Sequence, residues 1–126
     1  MIQLDTSFLI RAPVHESPED AALRRGMQGG EPLSISTLAW TEFLCGPVSV
    51  HAIEMATQLL GEPVSFSAAD ATLAARLFNE AGRRRGSLLD CMIAATAIAS
   101  DAELATANLA DFRRLESLGL RLAADR

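Results

Sequence analysis

The chain has 126 residues, a formal net charge of −5 and a hydrophobic content of 49%. This length suits one domain with a sizeable buried core, so we expect residues 1–126 to form a single domain. The negative charge argues against a protein that holds nucleic acid through a broad basic surface, because such binding depends on many Lys and Arg contacts to phosphate.

In chain order, the predicted elements are a strand at residues 2–4, a short helix at 7–11, a helix from Ser17 to Gly29, a strand at 33–36, helices at 37–45 and 50–60, a strand at 64–66, a helix at 67–81, a helix from Ser87 onward, a strand at 103–106, a helix at 109–118 and an edge strand at 120–122. Short apolar runs that alternate with helical patterns are typical of α/β units around a mainly parallel sheet.

The predicted helix at 67–81 has an apolar face and is followed by three arginines. The apolar positions are Ala71, Ala74, Ala75, Phe78 and Ala81. Gly82 is suited to end this helix, which leaves the arginines at 83–85 in an exposed turn. All eleven basic residues of the chain are Arg, whose planar guanidinium suits phosphate recognition, although a biased genome composition explains this equally well.

The cysteines give no sign of a metal centre or a secreted protein. Cys45 and Cys91 have no ligand-like spacing with each other or with His15 and His51, so a zinc module is disfavoured and the cysteines are expected to fill small core volumes. The sequence has no signal-peptide pattern and no run of roughly 18 apolar residues. We therefore expect a cytoplasmic protein that has no membrane contact.

Three acidic residues stand in apolar surroundings. Asp90 interrupts an apolar run at residues 88–95, Asp5 lies between two apolar segments, and Glu42 is flanked by Trp40 and Phe43. Ionised groups among apolar side chains are tolerated when they are paired, hydrogen-bonded or bound to a metal. Three such acids suggest one shared site.

Each acid also has a purely structural interpretation. Asp5 can cap the helix that follows it. Asp90 can form a capping box with Ser87, because the acid stands three residues after a serine at a helix start. Glu42 can face solvent on an amphipathic helix.

A fourth polar cluster favours the shared site. Thr106, Asn108 and Asp111 follow the predicted strand at 103–106, and ligand sites of open α/β sheets collect at the carboxyl ends of strands. Carboxylates and waters are the ligands that Mg²⁺ prefers, although Thr106 or Asn108 can serve only as a helix cap.

Taken together, these segments resemble PIN-domain ribonucleases, and among them the VapC-like toxins of type II toxin–antitoxin pairs. The matching segments are Asp5-Thr6-Ser7, Thr41-Glu42-Phe43-Leu44-Cys45-Gly46, and the stretch from Arg85 through Gly86, Ser87 and Asp90 to Ala95. The resemblance runs almost end to end and implies a three-layer α/β/α fold with a mainly parallel central sheet.

The resemblance implies a Mg²⁺-dependent endoribonuclease in which Mn²⁺ can substitute. Its catalytic residues would be Asp5, Glu42, Asp90, Asn108 and Asp111, with Asp5, Glu42, Asp90 and Asp111 as metal ligands. The chain departs from the family at Asn108, where an Asp is frequent, and Asp111 is the nearest carboxylate. The metal would lower the pKa of a bound water and stabilise charge on the scissile phosphate.

The resemblance also implies an RNA substrate, a small antitoxin partner and a homodimer. Phe8, Trp40 and Phe43 can line a groove for an antitoxin helix, although such aromatic residues are more often core. The arginines at 83–85 can guide RNA, or can simply complement the dipole of the preceding helix.

Two rival functions are weighed against the nuclease. A phospho-acceptor enzyme is disfavoured, because the chain contains no Lys to contact a phosphate and Ser7 stands where such enzymes have a second Asp. A PIN-fold RNA- or protein-binding module with little catalysis is kept open by Asn108.

Overall fold

A computed structural model of the chain describes residues 1–11, 21 and 29–123. Its elements in chain order are β1 (Ile2–Leu4), α1 (Thr6–Arg11), β2 (Leu33–Ser34), α2 (Thr37–Cys45), α3 (Val50–Leu60), α4 (Ala68–Glu80), α5 (Leu88–Ala99), β3 (Glu103–Ala105), α6 (Leu109–Arg113) and a short 3₁₀ helix (Glu116–Leu118). The helix predicted between Ser17 and Gly29 falls outside the described residues, except at its position 21 and its last residue.

The sheet is parallel, with strand order β2-β1-β3. Ile2 of the central strand is in register with Leu33 on one side and with Glu103 on the other, and all three β1 residues are buried. The predicted α/β class is therefore confirmed. The two runs at 64–66 and 120–122 were predicted as strands, but each contributes only an isolated parallel bridge, at Val64 and at Leu122.

The two helices after β2 have the predicted bounds, because strong local signals mark both ends. The Ser36 and Ser49 hydroxyls each accept a hydrogen bond from a backbone N–H of the first turn, from Ala39 and Ala52 at 3.1 Å. Gly46 follows α2 directly, and Gly61, with φ +68, follows α3.

Helix α4 packs along α5 with a face that differs from the predicted one. Ala74 and Leu77 are buried, whereas Ala71 and Ala75 are exposed. A capping box orients this helix: the Ser67 hydroxyl accepts from the backbone of Asp70, whose carboxylate accepts from the backbone N–H of Ser67.

Helix α5 lies deep in the core except at its first turn. Its buried residues are Cys91, Ile93, Ala94, Ala95, Thr96 and Ala97, most of them small enough for close helix packing. Leu88 and Leu89 are exposed by 49% and 36%, so the apolar run around Asp90 is not uniformly core-facing. The core role predicted for the cysteines holds for Cys91, whereas Cys45 is exposed.

The helix predicted at 109–118 is divided in two. Beyond α6, the backbone N–H of Leu115 donates to the carbonyl of Phe112 at 2.9 Å, a three-residue spacing that tightens the chain into the 3₁₀ helix. Gly119 ends this segment in a left-handed conformation, with φ +115. Among the described residues, no helix is both long and apolar enough to cross a membrane.

Candidate active site

Asp5 lies at the carboxyl end of the central strand and is almost fully buried, with 5% of its surface exposed. Its backbone N–H donates to the carbonyl of Ala105 at 2.8 Å, which holds the ends of β1 and β3 together. Its carboxylate oxygen Oδ2 accepts from the hydroxyls of Ser7 at 2.7 Å and Thr106 at 2.8 Å. Neither hydroxyl is bonded to Oδ1, so this second oxygen is left for another partner.

The two hydroxyls are themselves held by the backbone after β3. Ser7 Oγ accepts from the N–H of Ala107 at 3.1 Å, and Thr106 Oγ1 accepts from the N–H of Asn108 at 3.0 Å. Because each hydroxyl accepts from an amide, its own proton is directed to Asp5. Oδ2 is thus a double acceptor, and a fixed position at the strand end replaces the helix-cap interpretation of the Asp5 side chain.

Glu42 reaches the site from α2 through Thr6. The Thr6 hydroxyl lies 2.9 Å from the carbonyl oxygen of Ala39, to which it donates, and 3.1 Å from Oε1 of Glu42. Glu42 is exposed, as the solvent-facing interpretation predicts. Its carboxylate is nevertheless linked to the site, because Thr6 directly follows Asp5 in the chain.

Asp90, in the first turn of α5, is the acid most affected by its surroundings. The pKa of Asp90 is raised from 3.8 to about 6, chiefly by burial and then by the negative charges of Asp5, Asp111 and Glu42, in that order of size. Arg114 opposes this effect. The four predicted acids therefore interact electrostatically, with Asp90 as the one whose pKa responds.

The capping-box interpretation of Asp90 is wrong. Ser87 makes no side-chain cap bond to α5, and its hydroxyl instead donates to the carbonyl of Arg84 at 2.6 Å. The Ser87 hydroxyl is thus bonded to the preceding turn, and the predicted capping-box pair of Ser87 and Asp90 does not form.

Beside Asp5, Glu42 and Asp90, two residues are candidates for a fourth ligand of the site, Asn108 and Asp111. Asn108 precedes α6 but makes no side-chain cap bond, and it is exposed. Asp111 lies in the first turn of α6, where Oδ1 is 3.8 Å from a guanidinium nitrogen of Arg84. Asp111 therefore contributes negative charge to the site and is held at its rim by an arginine.

The arginines at 83–85 form an exposed turn, as predicted, but they are not equivalent. Arg83 has a left-handed backbone, with φ 53, and its guanidinium lies 5.4 Å from the centre of the Phe78 ring and bonds to the side chain of Asn79. Arg84 is directed to Asp111. Of these three arginines, Arg84 is the one that contacts an acid of the site within the described part of the chain.

The donor set suits a hard divalent cation such as Mg²⁺, because it consists of carboxylate oxygens. Within residues 1–11 and 29–123, however, no three His, Cys, Asp or Glu side chains already stand close enough to enclose a metal. His15, one of the four residues of the disfavoured zinc module, lies outside the described residues. Mg²⁺ usually keeps several waters and binds through one or two carboxylates, so the open arrangement fits that ion better than a closed structural site.

Asp5 and Thr106 lie at the carboxyl ends of parallel strands, which is where open α/β proteins bind their ligands. The sequence matches the PIN domain family over residues 2–118, and the chain belongs to that family. A comparison with curated proteins finds no match.

Solved structures with similar folds include toxin–antitoxin complexes. VapBC2 from Rickettsia felis, bound to a DNA fragment from their promoter, is 24% identical with a TM-score of 0.77 over 97% of each chain. VapBC-1 from nontypeable Haemophilus influenzae is 22% identical with a TM-score of 0.75, covering 99% of this chain and 100% of that chain. A toxin–antitoxin complex from Klebsiella pneumoniae is 27% identical with a TM-score of 0.70, covering 89% and 90%.

The predicted aromatic groove is largely core. Phe8 and Phe43 are each 6% exposed, and only Trp40 is half-buried, with its ring centre 5.5 Å from that of Phe43. One charged residue near the site was missed altogether: Arg114, which acts on Asp90 from the end of α6. No local pattern distinguishes it from its neighbour Arg113.

Proposed function

We propose that this protein is a VapC-like toxin that cleaves RNA as a metal-dependent endoribonuclease, with Mg²⁺ as its cofactor and Mn²⁺ as a substitute. The observation that carries the proposal is the electrostatic convergence of Asp5, Glu42 and Asp111 on Asp90 at the strand ends of a PIN fold. Such repulsion costs stability unless a cation compensates it, and a divalent ion is the cation that carboxylate oxygens bind best.

The chain's own residues have separable tasks in this proposal. Asp5 presents Oδ1 from a position fixed by two hydroxyls, and Asp90 presents its carboxylate from the first turn of α5. Asp111 and Arg84 stand at the rim, where the guanidinium can contact an RNA phosphate. When bound, Mg²⁺ would activate water and stabilise the charge that develops on the phosphate.

The proposed partners are an RNA substrate, a small antitoxin protein and a second copy of the chain, in the cytoplasm. Support for the antitoxin comes from the similar structures, which are toxin–antitoxin complexes. The exposed side chains of Ile10 on α1 and Leu44 on α2, at 56% and 44%, offer apolar surface close to Thr6 and Glu42 for an antitoxin helix.

The first experiment is calorimetric Mn²⁺ binding, combined with thermal melting and an RNA cleavage screen. Asp90→Asn is compared with the wild type and with the control Glu54→Gln, which removes an exposed acid on α3. We expect binding and cleavage in the wild type and control and neither in Asp90→Asn. At about 100 times its dissociation constant, the ion should stabilise the fold by roughly 2.7 kcal/mol.

The alternative is a PIN-fold module that binds RNA or protein with little catalysis. It is favoured by the exposed amide of Asn108 and by the absence of three enclosing ligands among the described residues. Metal-independent RNA binding by wild type and Asp90→Asn alike, without cleavage, would decide for this module.

A further inference from the structure

The ion pair between Arg84 and Asp111 joins two segments that carry acids of the site. Arg84 lies in the turn before α5, the helix that presents Asp90, whereas Asp111 lies in the first turn of α6. A guanidinium nitrogen of Arg84 is 3.8 Å from Oδ1 of Asp111. The pair is therefore a tertiary contact across the rim of the site, and each of its two ends is held by the fold.

Asp111 is connected to Asp5 through the segment that follows β3. The Thr106 hydroxyl donates to the Asp5 carboxylate at 2.8 Å and accepts from the backbone N–H of Asn108 at 3.0 Å. The carbonyl of Asn108 in turn accepts from the backbone N–H of Asp111 at 3.0 Å. These consecutive bonds fix the start of α6 relative to the end of the central strand, and with it the backbone position of Asp111.

The backbone of Arg84 is held by the start of α5. Its carbonyl accepts from the Ser87 hydroxyl at 2.6 Å and from the Ser87 backbone N–H at 3.2 Å. Ser87 is buried, and its own carbonyl accepts from the backbone N–H of Cys91. The turn is thus anchored to the helix that carries Asp90, while the Arg84 side chain extends into solvent with 58% of its surface exposed.

The contact between the two side chains is weak enough to exchange. Asp111 is also exposed, by 44%, and the N–O distance of 3.8 Å is longer than that of a hydrogen-bonded pair. Exposed ion pairs contribute little to stability, because solvent screens them and two side chains lose freedom. Arg84 can therefore leave Asp111 at small cost for an anion that it binds better. A backbone phosphate, which a planar guanidinium can bind bidentately, is such an anion.

Asp111 is a poorer ligand for a cation while Arg84 pairs with it. The guanidinium offsets the negative charge of the carboxylate and repels an approaching divalent ion. No neighbour can take over this role, because Asp111 is the one carboxylate of residues 106–113 and Asn108 is neutral. The charge that this segment offers to an ion therefore depends on where the Arg84 guanidinium lies.

We propose that Arg84 is an exchangeable counter-ion of Asp111 and couples RNA binding to metal binding. In the free protein, Arg84 pairs with Asp111 and withholds it from the ion. When an RNA phosphate draws the guanidinium away, the Asp111 carboxylate becomes available to the ion. Arg84 is thus a positioning residue that acts through Asp111, and the site reaches its full affinity for the ion only beside its substrate. This inference rests on the proposed metal-dependent function.

The first test is Mn²⁺ calorimetry on the full chain at pH 8, as a double-mutant cycle of Arg84→Gln and Asp111→Asn. We expect Arg84→Gln to bind Mn²⁺ about two- to fivefold more tightly than the wild type, which is the range that an exposed ion pair can withhold. In the Asp111→Asn background, Arg84→Gln should give no such gain, because the carboxylate that it would release is absent. Arg83→Gln is the matched control, since it removes a charge from the same turn whose guanidinium lies over Phe78.

The second test repeats the titration with a saturating probe that supplies backbone phosphates. The probe is a short oligouridylate with phosphorothioate linkages, which keep the negative charge and resist hydrolysis. It should raise Mn²⁺ affinity by a larger factor in the wild type and Arg83→Gln than in Arg84→Gln, in which Asp111 is already released. By linkage, Mn²⁺ should tighten probe binding by the same factor in each variant, which fluorescence anisotropy measures.

The outcomes separate this inference from the proposed function. If the wild type binds no Mn²⁺, the metal-dependent function itself fails, and this inference fails with it. If the wild type binds the ion but Arg84→Gln binds it no more tightly, or gains as much affinity in the Asp111→Asn background, Arg84 does not withhold Asp111. If the probe raises Mn²⁺ affinity equally in the wild type and Arg84→Gln, or in neither, the exchange with phosphate is refuted while the metal site stands.

Discussion

The site has two halves that are held in different ways. In the strand half, Asp5 is buried and receives two hydroxyl protons, each backed by a backbone amide. In the helix half, three other acids raise the pKa of Asp90 and, among the described residues, the charge of Arg114 lowers it. The carboxylate of the first half is held by hydrogen bonds, whereas in the second half repulsion outweighs the opposing charge.

This difference suggests a division of labour. A carboxylate that accepts well-oriented hydroxyls is fixed before any ligand arrives, which reduces the ordering cost of binding. A carboxylate under repulsion gains most from a cation, so it supplies the driving force for binding. Replacing one acid from each half should therefore have opposite effects on stability.

The largest expected effect comes from Asp5→Asn compared with Asp90→Asn. Both should reduce RNA cleavage severely, because each removes a charge from the metal site. Without metal at pH 8, Asp5→Asn should lower the free energy of unfolding by about 1–3 kcal/mol, because the carboxylate that accepts from the hydroxyls of Ser7 and Thr106 is lost. Asp90→Asn should instead raise the unfolding temperature, because it removes a repelled charge.

Chemical denaturation of the two variants measures this contrast, with Glu54→Gln as the control for removal of an acid. Equal changes of the same sign in both variants would contradict the division into two halves.

The next effect concerns the hydroxyls that hold Asp5. Thr106→Val keeps the shape of the side chain but removes the proton donor to Oδ2, and we expect Mn²⁺ affinity to fall about 10–100-fold, as for other groups that orient metal ligands. Thr57→Val is the control, since Thr57 is exposed on α3 and its hydroxyl donates to the carbonyl of Ile53 in the same helix. Unchanged affinity in Thr106→Val would mean that Ser7 alone fixes Asp5.

The pH dependence of stability tests the helix half. Because the pKa of Asp90 is raised to about 6 in the folded protein, the folded state binds more protons than the unfolded state between about pH 4 and 6. The ionisation of Asp90 should therefore lower the free energy of unfolding of the metal-free protein as pH rises through this window. In thermal melts, this pH dependence should be absent from Asp90→Asn, and saturating Mn²⁺ should offset it in the wild type. A wild type and Asp90→Asn with the same pH profile would contradict it.

Asp5 and Asp90 could be singled out as candidate site residues from the sequence because each stands out locally. Asp5 and Asp90 interrupt apolar runs, and a charge in such a run needs a partner wherever the chain folds. The bounds of α2 are equally predictable, since the capping residues Ser36 and Gly46 directly flank the helix and act locally.

The supports of the site could not be predicted, because they depend on contacts far apart in the chain. Ser7 and Thr106 meet only because β1 pairs with β3 in a particular register. The burial of Arg114 rather than Arg113 depends on the phase of a single helical turn, which a five-residue helix does not reveal through periodicity.

The smallest expected effect on stability is that of Arg84→Gln. The ion pair with Asp111 is exposed on both sides, so its loss should change the unfolding temperature little. RNA binding should weaken at low salt and its salt dependence should become shallower, because one guanidinium at the rim no longer contacts phosphate. Arg83→Gln is the control within the same turn, since that guanidinium lies over Phe78 instead. Fluorescence anisotropy of a labelled RNA across a salt series distinguishes the two variants. A loss of RNA affinity confined to Arg84→Gln would show that Arg84 contacts the phosphate, whereas equal losses in both variants would mean that the turn acts only through its overall charge.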